Sequence, residues 1–184
     1  MNQEIKAKAE RVKMLLMDVD GVLTDGRLYH LPVYAPDGTM RMAESKGFDS
    51  QDGIALQWCA KLGIKTGVIS GRLSEATTER ARQAKMTYIF QGHTEKIPIL
   101  EQILQDSRIP AEEVAYIGDD LTDIVIMKRV GFGVAVGNAR PEVKRAADFV
   151  TTAVGGSGAV REVIELMLRA KGEWAGILKH YEAE

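Results

Sequence analysis

Residues 15–26 read LLMDVDGVLTDG, an apolar run that leads straight into Asp18 and Asp20, one valine apart, with Asp25 following. Two further polar clusters stand after apolar runs of the same kind. KTGVIS is followed by Gly71 and Arg72, and VAYIGD opens GDDLTD, which holds Asp119, Asp120 and Asp123. Carboxylates brought together repel, so one takes a proton or a cation binds among them. An all-oxygen set with open positions suits Mg²⁺, which keeps several waters and often bridges to phosphate. No histidine or cysteine accompanies the carboxylates, which argues against zinc. Taken singly, each aspartate also reads as a helix cap or turn former. Two such clusters at the ends of two strands of one sheet make that plainer reading weaker.

Ser70-Gly71-Arg72 sits at a strand-to-helix junction, where backbone N–H groups can cradle a phosphate. It equally describes an ordinary turn. Lys96 lies in QGHTEKIPIL. Pro98 is tolerated only in a first helical turn, which predicts an N-cap near Thr94 and places Lys96 at the positive end of the helix dipole. An anionic neighbour, either the aspartates or a phosphate, would remove that conflict. A solvated surface lysine is the simpler alternative.

The elements that must position these groups alternate along the chain. Apolar runs at 14–19, 65–70, 87–92, 114–119, 131–136 and 147–151 lack polar alternation, as strands buried on both faces do. Helical patterns fall at about 51–62, 73–85, 95–106, 120–129, 141–146 and 157–171. In the first, Ile54, Trp58, Cys59 and Leu62 share a face; in the third, Ile97, Leu100, Ile103 and Leu104 do. This alternation predicts an α/β fold, a Rossmann-like parallel sheet sandwiched by helices. Ligands of such sheets bind beyond the carboxyl ends of the strands, so the three polar clusters should meet on one edge. The stretch at about 27–48 interrupts the rhythm. Its PDG at 36–38 reads as a turn between extended arms, which predicts a protruding β-hairpin.

At 184 residues, with 45% hydrophobic and 27% charged residues, the chain reads as one soluble globular domain over 1–184. A formal net charge of -2 gives no sign of nucleic-acid or membrane attraction. The charged start, MNQEIKAKAERVK, is no secretory signal. Cys59 stands alone and fits a reducing, cytoplasmic setting. Cys59 reads as core, and His30, His93 and His180 as surface or turn residues.

The ordered motifs DVDGVLTDG, SGR, a lone lysine and GDDLTD resemble those of the haloacid dehalogenase superfamily of phosphotransferases, in its small capless subclass. The likeness spans nearly the whole chain and includes the hairpin, DG at 52–53 and GGSGAVREV at 155–163. It implies a Mg²⁺-dependent phosphatase with no cap domain, acting on a phosphorylated sugar acid. Asp18 would be the nucleophile that forms an aspartyl-phosphate, and Asp20 the general acid and then base. Ser70 and Lys96 would hold the phosphoryl oxygens. Mg²⁺ would sit on the Asp18 carboxylate, the Asp20 backbone carbonyl and Asp119, with Asp123 supporting.

The resemblance further implies substrate contacts from Asp49, Ser50, Gln51, Asp52 and Gly53, and from Arg72 and Arg80. It also implies a homotetramer in which one subunit's hairpin helps to close the next subunit's site, with Arg161 near a neighbouring substrate. Three features depart from the pattern: Gln57 in place of an arginine, Ala55 in place of a second glycine, and a longer hairpin around 30–39. They bear on the choice of sugar acid. A signalling receiver domain also uses an acidic cluster, a hydroxyl residue and a lysine, but it lacks an acid two residues beyond its acceptor. A non-catalytic tetramerisation module is opposed by the intact motifs.

Overall fold

The computed structural model describes residues 2–183. In chain order its elements are α1 (Gln3–Arg11), β1 (Met14–Met17), β2 (Tyr29–Tyr34), β3 (Met40–Ser45), α2 (Ser50–Lys61) and β4 (Lys65–Ser70). There follow α3 (Glu75–Gln83), β5 (Tyr88–Gln91), α4 (Ile97–Ser107), β6 (Val114–Gly118), α5 (Leu121–Met127) and β7 (Phe132–Ala135). The chain continues through α6 (Pro141–Ala146), β8 (Phe149–Val150), α7 (Ala159–Ala170) and α8 (Trp174–His180).

Six strands form one sheet in the order β5-β4-β1-β6-β7-β8, every neighbouring pair parallel. β1 is central, and all four of its residues are buried. A strand without polar alternation can sit there because helices cover both faces. The helices fall into two groups: α1 and α2 each pack on α7, whereas α5 packs on α4 and α6. Connections run outward from β1 through β4 to β5, then return to β6 and run the other way to β8. The reversal leaves a crevice beside the carboxyl end of β1, where a ligand of this fold binds.

The predicted strands and helices all form, most within two residues of the expected limits. Two helices were not anticipated. The charged start folds as α1, capped by the Asn2 side chain accepting from Glu4 N–H. The chain end folds as α8, which packs on α7, and the Tyr181 hydroxyl just beyond it accepts from the Trp58 indole N–H at 3.1 Å. The apolar face expected on α2 is also corrected. Trp58 and Cys59 are buried with Ala55 and Leu56, but Ile54 and Leu62 are exposed. Asp52 and Gly53 take the buried positions in the first turn because α7 packs against that end.

The hairpin stands apart as a two-stranded antiparallel sheet, in register from Tyr29 opposite Ser45 to Tyr34 opposite Met40. Asp37 closes its turn by accepting from Thr39 N–H at 2.8 Å. Both faces of β2 are exposed, leaving Tyr29, Leu31, Val33 and Tyr34 uncovered.

Because β1 anchors the site, Leu16→Ala, which empties a fully buried position, is expected to lower the unfolding free energy by about 2–5 kcal/mol. Urea titration would measure it.

Candidate active site

Three strand ends converge on one crevice of about 320 Å³. It is lined by Asp18 and Asp20 after β1, Ser70, Gly71 and Arg72 at β4, Thr94 and Lys96 before α4, and Asp119, Asp120 and Thr122 after β6. A larger cleft of about 500 Å³ opens at the other sheet edge, around Lys13, Lys65 and Lys171. No catalytic constellation converges there, and the fold rule places chemistry at the carboxyl edge.

Asp18 is held by its own N–H, which donates to the Ile117 carbonyl at 3.0 Å. The chain then turns sharply, with the N–H groups of Leu23 and Thr24 converging on the Val19 carbonyl at 3.0 and 3.1 Å. Gly21 has φ +91°, and a β-carbon there would collide with the Asp119 carboxylate. A side chain at Gly155 would strike the Gly21 carbonyl, so a glycine is needed there to pack against the turn after β1. Asp25 is a turn former whose carboxylate accepts from Arg27 N–H.

Lys96 is 4% exposed, so it is no surface lysine. Its Nζ lies 2.7 Å from Asp123 Oδ1, 3.2 Å from Asp18 Oδ1 and 3.1 Å from the Tyr116 hydroxyl. Burial alone would push its ammonium down, but Asp18 and Asp123 outweigh this and hold it above the ordinary lysine value. The cap expected at Thr94 falls instead at Lys96 itself, which makes no side-chain cap bond.

The aspartates of GDDLTD divide into distinct environments. Asp123 is fully buried. Its Oδ1 accepts from Lys96 and the Tyr116 hydroxyl, and its Oδ2 from the N–H groups of Asp119 and Asp120 at 2.9 and 3.1 Å. Asp120 caps α5 through Leu121 N–H. Asp119 differs, for its Oδ1 is buried with no hydrogen-bond partner. Burial, then the charges of Asp123 and Asp18, push its carboxyl up to about 7. Burial raises Asp18 to about 6, against the pull of Lys96.

Carboxylate oxygens of Asp18, Asp119 and Asp123 lie within 4.8 Å of one another. Asp123 already accepts four donors, so the pair with free capacity is Asp18 and Asp119. An orphaned buried carboxylate oxygen and two carboxyls held against ionisation fit a divalent cation of the Mg²⁺ type.

Asp20, Arg72 and Lys96 of the expected substrate contacts line the crevice; Asp49, Ser50, Gln51, Asp52, Gly53 and Arg80 do not. Asp49 caps α2 by accepting from Gln51 and Asp52 N–H, and Arg80 Nη2 donates to the Asp49 carbonyl at 2.5 Å. Asp52 accepts from Arg161 N–H at 2.7 Å and is pushed up to about 6 by burial. Arg161 also lies away from the crevice, its guanidinium 4.1 Å from the Trp58 ring centre and paired with Glu165. Gln57 is exposed and reaches the Gln83 carbonyl at 3.4 Å. Sequence reasoning missed Tyr116, Thr94, Thr122, Glu44 and Lys46. Tyr116 reads as one more apolar strand residue, and Glu44 and Lys46 as charges on a hairpin.

Fold and site together define the class of haloacid dehalogenase-like hydrolases, and the model of that family matches residues 74–164. The 3-deoxy-D-manno-octulosonate 8-phosphate phosphatase KdsC of Escherichia coli K12 is 37% identical over 173 residues, 94% of this chain and 88% of the relative. A crystal structure of 3-deoxy-D-manno-octulosonate 8-phosphate phosphatase from Moraxella catarrhalis, with magnesium, phosphate and KDO, superposes with a TM-score of 0.88 at 36% identity. It covers 98% of this chain and 99% of its own. The Yersinia pestis phosphatase structure gives 0.87 at 34% identity, covering 96% and 91%. The chain belongs to the 3-deoxy-D-manno-octulosonate 8-phosphate phosphatase family and is a phosphoric monoester hydrolase.

Removing Asp123 would take from Lys96 the nearer of its two buried carboxylates and leave the N–H groups of Asp119 and Asp120 without their acceptor. Asp123→Ala is therefore expected to cost about 3–5 kcal/mol of stability in metal-free protein, read by denaturant unfolding in chelator.

Proposed function

We propose that this phosphatase hydrolyses 3-deoxy-D-manno-octulosonate 8-phosphate to the free sugar acid and phosphate, a step in lipopolysaccharide precursor synthesis in the cytoplasm. The observation that carries the reading is the convergence of Asp18, Asp20, Ser70, Arg72, Lys96 and Asp119 on one crevice. The relatives' named substrate, and the magnesium, phosphate and KDO of the Moraxella structure, support it.

In this mechanism a carboxylate oxygen of Asp18 attacks phosphorus as the bond to the sugar oxygen breaks. Asp20 gives its proton to the departing oxygen. Asp20, two residues on, then removes a proton from water as that water attacks the aspartyl-phosphate, releasing phosphate and restoring Asp18. Ser70 and Lys96 hold the phosphoryl oxygens, with the Gly71 backbone beside them. The Ser70 oxygen accepts from Arg72 N–H at 3.2 Å, which leaves its hydroxyl hydrogen to donate. Mg²⁺, held by the carboxylates of Asp18 and Asp119 and the Asp20 carbonyl, supplies positive charge against the phosphate when bound. Asp123 anchors Lys96 and the turn after β6. Arg72 offers a bidentate partner for the substrate's carboxylate.

The exposed apolar hairpin supports a homotetramer, because contiguous uncovered apolar surface marks an interface. In such an assembly one subunit's hairpin would help to close the next subunit's crevice. Sedimentation at micromolar concentration is expected to give a tetramer; a monomer would refute the shared site.

The decisive assay is phosphate release from 3-deoxy-D-manno-octulosonate 8-phosphate beside a panel of nonulosonate and other sugar phosphates. Preference for the octulosonate, lost in chelator and restored by Mg²⁺, is expected. Preference for another substrate would keep the mechanism and move the sugar. Asp18→Asn is expected to lower turnover by on the order of 10³-fold or more; full activity would remove Asp18 as nucleophile.

A further inference from the structure

Four charged side chains form a closed ring beside the crevice. Lys46, just past the end of β3, has a side chain only 1% exposed, with Nζ 2.5 Å from Asp20 Oδ1 and 3.6 Å from Glu44 Oε1. Glu44 accepts from Arg72 Nη2 at 2.6 Å, and Arg72 Nε lies 3.7 Å from Asp20 Oδ2. Each oxygen of Asp20 thus faces a different cation, and Glu44 ties the two cations together. Asp20 and Arg72 line the crevice, whereas Glu44 and Lys46 do not.

A buried ammonium is costly unless its carboxylate partners stay in place. Lys46 therefore has little freedom to leave Asp20. Arg72, though paired with Glu44, is 46% exposed, so an incoming anion can reach its guanidinium. One oxygen of Asp20 is pinned by a residue outside the crevice lining, and the other faces Arg72, which lines it. For a proton carrier this matters, because misplacement of the carboxyl group by about 1 Å can cost on the order of 10²-fold in rate.

We propose that Lys46 is a positioning residue for Asp20, held in place by Glu44, so that the root of the hairpin orients the group that protonates the departing oxygen. This rests on the reading of Asp20 as proton carrier given above. Lys46 gives up no proton. As the bond from phosphorus to the leaving oxygen breaks, the proton passes from Asp20 to that oxygen, and the Lys46 ammonium holds the geometry. A staple that merely secured the hairpin would affect all substrates alike.

The test uses the full chain with Mg²⁺ and two substrates of similar shape, phenyl phosphate and p-nitrophenyl phosphate. The first has a poor leaving group that needs the acid; the second does not. kcat/KM reports the step in which that group departs. Lys46→Met is expected to lower kcat/KM for phenyl phosphate at least about tenfold, toward the loss in Asp20→Asn, with p-nitrophenyl phosphate within about threefold. Lys46→Arg should recover most of the loss.

Equal losses on both substrates in Lys46→Met, with Asp20→Asn still selective, would overturn the role of Lys46 alone. If Asp20→Asn is itself unselective, the reading of Asp20 fails and the proposal with it. Should Lys46→Met not fold, Glu44→Gln loosens the same ring from its other side. It is expected to give the same selectivity more weakly, and an unselective loss there would overturn the proposal.

Discussion

The site is organised by one buried ammonium. Lys96 lies between Asp18 and Asp123 with the Tyr116 hydroxyl alongside, and a charge so placed is tolerable only while those oxygens surround it. Meeting that condition requires β1, β6 and the start of α4 to end at one place. The sheet order does this, with β1 directly beside β6 and the chain returning to β6 through α4. Asp18, Lys96 and the strand end bearing Asp119 are therefore held together by a single electrostatic requirement.

Around that ammonium, four aspartates of the same chemistry acquire different work from their hydrogen bonds. Asp123 has its oxygens filled by protein donors and acts as scaffold. Asp119 keeps a buried oxygen without a hydrogen-bond partner and a carboxyl pushed up to about 7. Asp18 is balanced between burial, which raises its carboxyl to about 6, and Lys96, which pulls it down. Asp20 faces Lys46 and Arg72 at the rim. Environment rather than residue type sets these roles.

The hairpin joins an exposed end to a buried root. Its strands expose Tyr29, Leu31, Val33 and Tyr34, while Glu44 and the Lys46 just beyond it close a ring around Asp20. A capless phosphatase has no second domain to shape its crevice, and a segment inserted between the catalytic turn and α2 is placed to do so from outside.

Much of this was legible without coordinates. Unalternating runs such as MLLM require burial on both faces, which requires a helix-covered parallel sheet. That fold sends Asp18, Ser70 and Asp119 to one edge. The order of motifs then named the chemistry and proposed Lys96 as its cation. What the sequence could not carry was side-chain company across long separations. Lys46 and Asp20 are 26 residues apart, Lys96 and Asp123 27, and Asp52 and the Arg161 backbone 109.

Nothing local distinguishes a lysine that will pair with a carboxylate of the crevice from one that will face water. Nor does anything local show that Asp49 and Arg80 bond to each other outside the crevice, or that Ile54 turns outward. Backbone pattern is a property of neighbours in the chain and was determined by the sequence alone. Burial, pairing and the resulting shifts in proton affinity depend on which distant segments arrive, and only the tertiary structure decided them.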